Sequence, residues 1–276
     1  TPRQIQEAVS EYVASADLTD NFADNQAFLD AAVENAANLP VDDLESFPLT
    51  LENVERITWL SMYQPIIYCD DSGSMSGSQW DTQRRLVDRI AKLATRVVPD
   101  GYGVWLRFLN SPISGDNLTH TEILQYYDSI GPTAMTPLGT TLRRRILEPL
   151  VYNVLPSRPN RKLERPLLIC VITDGMPNQE PITAFEEAIA DCRRFLRQAG
   201  SQPTQVRFCV NQIGGDSSAA GFLERLRRNQ EIQDVVYCTT GRLDSGFSDL
   251  QENQRELETW LLKILTDPIM PAHNNA

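Results

Sequence analysis

The chain has 276 residues, 41% hydrophobic and 22% charged, the composition of a soluble globular protein long enough for one large α/β domain plus an appendage. A net charge of −12 without any Lys- or Arg-rich tract excludes nucleic acid as the main partner, and no apolar run approaches the roughly 20 residues that span a bilayer. The acidity is concentrated: residues 1–60 carry twelve Asp and Glu against two Arg, a net of −10, whereas residues 61–276 carry 25 acidic and 23 basic groups, a net of −2.

In chain order, Ile5, Ala8, Val9, Tyr12 and Val13 mark one amphipathic helix, and Phe28, Ala31 and Ala32 a second. Leu39-Pro40 breaks that pattern, and Phe47-Pro48-Leu49 reads as a turn toward the main domain. From residue 65 strands and helices alternate, which predicts a mostly parallel, doubly wound sheet covered on both faces. Strands are expected near 65–70, 103–109, 167–173, 206–213 and 235–239, with a short antiparallel partner near 115–119. Between them run helical stripes: Val87, Ile90, Ala91 and Ala94; Phe185, Ala188, Ile189, Cys192, Phe195 and Leu196; Phe222, Leu223 and Leu226; Leu250, Leu257, Leu261 and Ile264. Thr183 and Glu186 form a capping-box pattern ahead of the helix expected over 183–199. Arg143-Arg144-Arg145, the one basic run, continues the helix after Gly139 and reads as a solvated face. The expected division is an acidic helical extension over 1–60, the α/β domain over 61–266 and a polar tail over 267–276.

The chemistry lies at strand ends. Tyr68-Cys69-Asp70-Asp71-Ser72-Gly73-Ser74-Met75 puts a carboxylate and two hydroxyls at alternate positions directly after an apolar strand. Such hard oxygen donors suit Mg²⁺, Ca²⁺ or Mn²⁺ far better than Zn²⁺ or Cu²⁺. Asp, Ser and Gly are also the ordinary residues of chain reversal, so this segment alone is equally a polar turn. Two further segments shift the balance: Leu167 to Gly175 is a second apolar strand ending in Thr173-Asp174-Gly175, and Thr133 to Thr140 is a hydroxyl-rich loop between the two.

The order Asp-x-Ser-x-Ser, Thr-Pro-Leu-Gly, Thr-Asp-Gly resembles the metal-ion-dependent adhesion site (MIDAS) of von Willebrand factor type A (vWA) domains, and the resemblance covers residues 65 to 265. It implies a six-stranded sheet in the order 3-2-1-4-5-6 with one antiparallel edge strand, and Asp70 and Asp174 as neighbours where that order reverses. Residue by residue it assigns Asp70, Ser72 and Ser74 to the first motif, Thr136 to the second and Asp174 to the third. Thr133 and Thr140 compete with Thr136, which is preferred because Pro137-Leu138-Gly139 follows it. Ala134 and Met135 depart from the pattern, since many relatives carry Gly ahead of the threonine. The implied cofactor is Mg²⁺, with Mn²⁺ or Ca²⁺ compatible, and the implied partner is a protein that presents Asp or Glu to the metal.

Other chemistries fit less well. An aspartyl-phosphate phosphatase of the haloacid dehalogenase type starts from an aspartate after a buried strand but wants a second acid two residues later, where this chain has Ser72. Gly73-Ser74-Met75-Ser76-Gly77 has Met75 in the place of the hydrolase serine. Of the two histidines, His120 reads as a surface residue near a helix start and His273 falls in the polar tail. Gly214-Gly215-Asp216 follows a strand but lacks a nucleotide fingerprint. The expectation is a binding module without catalysis, with a phosphohydrolase-like enzyme or a purely structural metal as the alternatives. Cys69, Cys170, Cys192, Cys209 and Cys238 form an odd set among apolar residues and are expected as buried free thiols. With no signal-peptide pattern at Thr1-Pro2-Arg3-Gln4, they point to a cytoplasmic protein with no membrane partner, and Asn117-Leu118-Thr119 is expected to be an unmodified sequon.

Overall fold

The computed structural model describes residues 2–39, 50–158 and 160–270. The expected break at Pro40, the turn at Phe47-Pro48-Leu49 and His273 lie outside the described residues. Six strands form one sheet: β1 (Gln64–Cys69), β2 (Val104–Phe108), β3 (Gly115–Leu118), β4 (Leu167–Thr173), β5 (Val206–Gln212) and β6 (Val236–Cys238). Their order is β3-β2-β1-β4-β5-β6, and only β3 runs antiparallel to its neighbour, so the sheet is the doubly wound one expected. β1 and β4 are buried along their whole length, which is why both read as unbroken apolar runs.

Alternate side chains feed two cores. Ile66 and Tyr68 point into one, Ile67 and Cys69 into the other. One face is covered by α1 (Pro2–Ser15), α2 (Thr19–Phe22), α3 (Gln26–Ala37), α4 (Leu51–Ser61), α5 (Ser78–Ala94) and α6 (His120–Asp128). The opposite face carries α7 (Leu138–Leu142), a π-helical continuation over Arg143–Tyr152, α8 (Ala184–Gln198) and α9 (Ser217–Arg228). The chain then returns to the first face with α10 (Leu243–Leu250) and α11 (Gln254–Thr266).

The two N-terminal helices foreseen from their stripes therefore share a core with the sheet. Tyr12 stacks on Trp59 at 5.2 Å and its hydroxyl donates to Ile269 O, while Phe28 meets Tyr102 edge-on at 4.8 Å. α4 was not foreseen, although Thr50 caps it by accepting from Asn53 N and Val54, Ile57 and Leu60 repeat at helical spacing. At the other end packing runs past residue 266: Ile269 is buried and Arg207 Nη1 donates to Pro268 O.

Two local expectations need correction. Thr183 does not cap α8; its hydroxyl donates to Glu187 Oε1 at 2.7 Å, and Glu186 is drawn instead to Arg225 on α9. A complete capping box occurs at Thr119 and Glu122, opening α6, where His120 is the first helical residue. The basic run is not one solvated face either. Arg144 is exposed, but Arg145 turns inward and donates to Phe108 O at 3.0 Å and Asn110 O at 2.9 Å, and Arg143 pairs with Asp191 at 2.5 Å.

Gly139 explains the Thr-Pro-Leu-Gly spelling in steric terms, since a Cβ there would stand 2.3 Å from the backbone of Ala184 and Phe185. α7 and α8 meet too closely for any side chain. Gly139→Ala should accordingly lose about 1–3 kcal/mol of stability, read from a chemical denaturation midpoint. An unchanged midpoint would show that the contact yields without cost.

Candidate metal centre

β1 and β4 are adjacent and parallel, with Cys69 opposite Ile172, so the residues that follow them leave the sheet at one edge, on either side of the reversal in strand order. Asp70 is 1% exposed. Its Oδ1 accepts from Ser72 N at 2.9 Å and its Oδ2 from Thr173 Oγ1 at 2.5 Å, while its main-chain oxygen accepts from Gln83 Nε2 on α5. After Ser72 the chain makes a single 3₁₀ turn, Gly73–Met75, anchored by the buried Met75 side chain. That turn brings Ser72 Oγ within 3.0 Å of Ser74 Oγ, and Ser74 Oγ donates to Asp174 Oδ1 at 2.9 Å. Ser72 Oγ, Ser74 Oγ and Asp174 Oδ1 thus form a hydrogen-bonded row of oxygens at the ends of two strands, which the Asp70 carboxylate joins through the Ser72 N–H.

Thr136 stands on the third loop and is buried, whereas Thr133 and Thr140 face solvent. Its hydroxyl is not bonded to the other four; it accepts from Asn178 Nδ2 at 3.4 Å, and its N–H donates to Asn178 Oδ1 at 3.0 Å. Asn178 links Thr136 to the loop that carries Asp174. Glu180, on the same loop, accepts from Gly139 N and Thr140 N at 2.8 Å each and so caps α7, and Tyr68 Oη donates to Leu138 O from below.

The loop ahead of Thr136 is fastened on both sides. Gly73 N donates to Ala134 O at 3.1 Å, Thr133 N to Asp71 O at 2.7 Å, and Asn110 Nδ2 to both Thr133 O and Met135 O. The Asp71 carboxylate in turn receives Asn110 N and Ser111 N at 2.7 Å each. Within this girdle Ala134 adopts φ +60°, the left-handed conformation that costs least for glycine. The departure from glycine is therefore accommodated by hydrogen bonds that hold the strained residue in place. Gln79 at the start of α5 completes the rim, its amide within 2.9 Å of Asp174 Oδ2 and 2.8 Å of Ser74 O.

Electrostatically the cluster is a concentration of uncompensated negative groups. Burial pushes the Asp70 carboxyl up to about 6, against the bonds from Ser72 and Thr173 that favour its ionised form. Burial also raises Asp174 and Asp71, the former opposed by Ser74 and the latter by the Asn110 and Ser111 N–H groups. Neither Asp70 nor Asp174 has a Lys or Arg partner among the described residues. Hard oxygens with no basic side chain beside them are chemically suited to a small divalent metal. No group of three or more His, Cys, Asp or Glu side chains is placed to hold a metal among the described residues, so any such site depends on hydroxyl donors.

Sequence reasoning placed Thr173 in the third motif without giving it a role, and missed Asn178, Glu180, Asn110 and Gln79. Each is an ordinary polar residue whose partner lies tens of positions away, as with Thr173 and Asp70 or Glu180 and Gly139. No local pattern could have disclosed these pairings.

No family model and no curated protein sequence matches the chain. Among solved structures it is similar to a von Willebrand factor type A protein from Catenulispora acidiphila, at 12% identity and a TM-score of 0.44, over 74% of this chain and 42% of that one. It is similar also to proximal thread matrix protein 1 from the mussel byssus, at 14% identity and a TM-score of 0.42, over 71% of this chain and 46% of that one. The manganese-loaded TRAP protein of Plasmodium vivax matches at 15% identity and a TM-score of 0.40, over 69% of this chain and 72% of that one. The chain spans less than half the length of the first two. Identities this low carry no residue correspondence, and the roles below rest on this chain's own geometry.

Proposed function

We propose that the chain is a vWA-type protein-binding module in which Asp70, Ser72, Ser74, Thr136 and Asp174 hold a divalent cation, Mg²⁺ first, with Mn²⁺ or Ca²⁺ compatible. One observation carries the reading: two serine hydroxyls bonded to the Asp174 carboxylate, and the Asp70 carboxylate tied to them through the Ser72 N–H, stand together at the sheet edge where ligands gather, without a basic partner among the described residues. A cation held there largely by neutral hydroxyls would keep positive charge facing outward and so offer an electrophilic anchor for a carboxylate. The residues around it suit docking. Of the three exposed large apolar side chains among the described residues, two, Met135 and Ile182, lie on the loops that carry Thr136 and follow Asp174. Apolar contacts flanking a polar anchor are the usual composition of a protein interface.

The partner proposed is a protein that presents Asp or Glu to the metal; nucleic acid and membranes are not proposed partners. No helix among the described residues is long and apolar enough to cross a membrane. All five cysteines are buried and unpaired, which supports a reducing, cytoplasmic setting. The module is proposed to be non-enzymatic, since Ser74 Oγ is bonded to Ser72 and Asp174 rather than to a histidine, and Ser72 stands where aspartyl-phosphate chemistry needs its general acid.

The test is partner capture with wild-type and Asp70→Ala protein, in Mg²⁺ and in EDTA, alongside assays with phosphate ester, carboxyl ester and peptide substrates. A partner set that needs both Mg²⁺ and Asp70, with no turnover, is expected. Capture indifferent to EDTA would make the metal structural. Turnover lost in Asp70→Asn would make the protein an enzyme.

A further inference from the structure

The sheet's opposite edge holds a second feature that the metal-centred reading does not use. Gln64 and Leu167, paired at the start of β1 and β4, border a cavity of about 240 Å³. A strand of six residues separates it from Asp70, roughly 20 Å away. Its walls include Tyr102, Trp105, Leu150 and Val154, together with the buried Arg165 and the partly exposed Arg158. The Trp105 indole is fixed by a bond from Nε1 to Asn117 Oδ1 at 3.2 Å.

Arg165 is the anomaly. It is 4% exposed, and among the described residues no carboxylate stands within ion-pair distance of it. Its Nη1 donates to Gln64 Oε1 at 3.0 Å and its Nη2 to Tyr63 O, but its Nε has no acceptor. The rings of Phe28 and Tyr102 lie 5.0 and 5.7 Å from the guanidinium carbon, which supplies a quadrupole but no counter-charge. Glu164 is the one acid in the cavity wall, and it leans to Arg158 at 3.6 Å. A buried cation is costly unless paired, so the lining holds two guanidinium groups against one carboxylate around an apolar space.

We propose that this cavity is a binding site for a small organic acid with an apolar, ring-sized body, whose carboxylate supplies the counter-charge missing at Arg165 and is shared with Arg158. The apolar walls disfavour inorganic phosphate, which would bring the charge without anything to fill the space. Burial depresses the Arg165 guanidinium to about 9, opposed only in part by the nearby Tyr102 and Glu164.

The test is calorimetric titration of the full chain with cinnamate and with cinnamamide, its uncharged isostere, in the presence and absence of Mg²⁺. Cinnamate should bind about tenfold or more tightly than the amide, the difference a charged hydrogen-bond acceptor makes. Leu150→Trp, which fills the cavity, and Arg165→Gln should each abolish cinnamate binding, and Arg158→Gln should weaken it. Because Arg165→Gln removes a buried anchor and can unfold the chain, Leu150→Trp and the acid–amide pair decide by themselves. Equal binding of acid and amide, binding retained in Leu150→Trp, or no binding of cinnamate would overturn the proposal. Asp70→Ala should leave cinnamate binding unchanged, which separates this site from the metal-dependent one.

Discussion

Mg²⁺ at a hundredfold excess over its dissociation constant should stabilise the folded chain by about 2.7 kcal/mol, which for a chain of this size raises Tm by roughly 5–10 °C. The expectation follows from the oxygen cluster: Asp70 and Asp174 are both held by hydroxyl donors, have no basic partner among the described residues, and are pushed toward protonation by burial. The unfolded chain cannot assemble donors from positions 70 and 174, so the metal binds the native state alone. Asp70→Ala should remove the increment while leaving cooperative unfolding intact; a mutant with the full metal response would show that the ligands lie elsewhere. The pH dependence has a definite sign. Because the folded Asp70 carboxyl titrates near 6, above its unfolded value of about 3.9, the metal-free native state binds the extra proton. Its contribution to stability is complete below the unfolded value and is lost as pH rises through about 6. Metal needs the ionised carboxylate, so the Mg²⁺ increment should run the other way, full at pH 7.5 and roughly halved at pH 5. Calorimetric scans at both pH values, with and without Mg²⁺, give the comparison. An increment equal at the two would remove Asp70 from the metal shell.

The strands were legible because burial on both faces leaves an apolar run with no alternative reading. The expected 167–173 is β4 itself, and 206–213 differs from β5 by one residue. The sheet order came from the family resemblance rather than from periodicity, and the strand pairing agrees with it. Helical caps were less legible. Thr183 and Glu186 have the right spacing, but Arg225 on α9 offers Glu186 a stronger charged partner than a backbone N–H does, and tertiary pairing overrides the local motif. The three metal-centre loops were foreseen as separate sources of oxygen donors. What tethers them was not, since the links from Asn110 to Met135 and from Asn178 to Thr136 join residues 25 and 42 positions apart. Arg165 was silent for the same reason: nothing in its neighbourhood of the sequence shows that Phe28 and Gln64 will close over it.

Deleting residues 1–50 should leave a chain that does not fold to a soluble monomer. The acidic excess of this segment suggests a detachable arm, but its apolar stripe is built into the sheet-facing core through Ile5, Val9, Tyr12, Phe22 and Phe28. Removing it would uncover Trp59, which stacks on Tyr12, and Tyr102 and Arg165, which pack against Phe28. One such contact is already large. Phe28→Ala alone should cost about 3–5 kcal/mol, a sizeable part of the roughly 5–15 kcal/mol that typically separates native from unfolded chains. The deletion removes several at once and exposes a contiguous apolar face to solvent. Denaturant melts of Phe28→Ala and size-exclusion profiles of the truncated chain give the two readouts. A truncated protein as stable and monodisperse as the full chain would mean that the helices dock without supporting the sheet, and the segment would then have to be treated as a partner-binding arm.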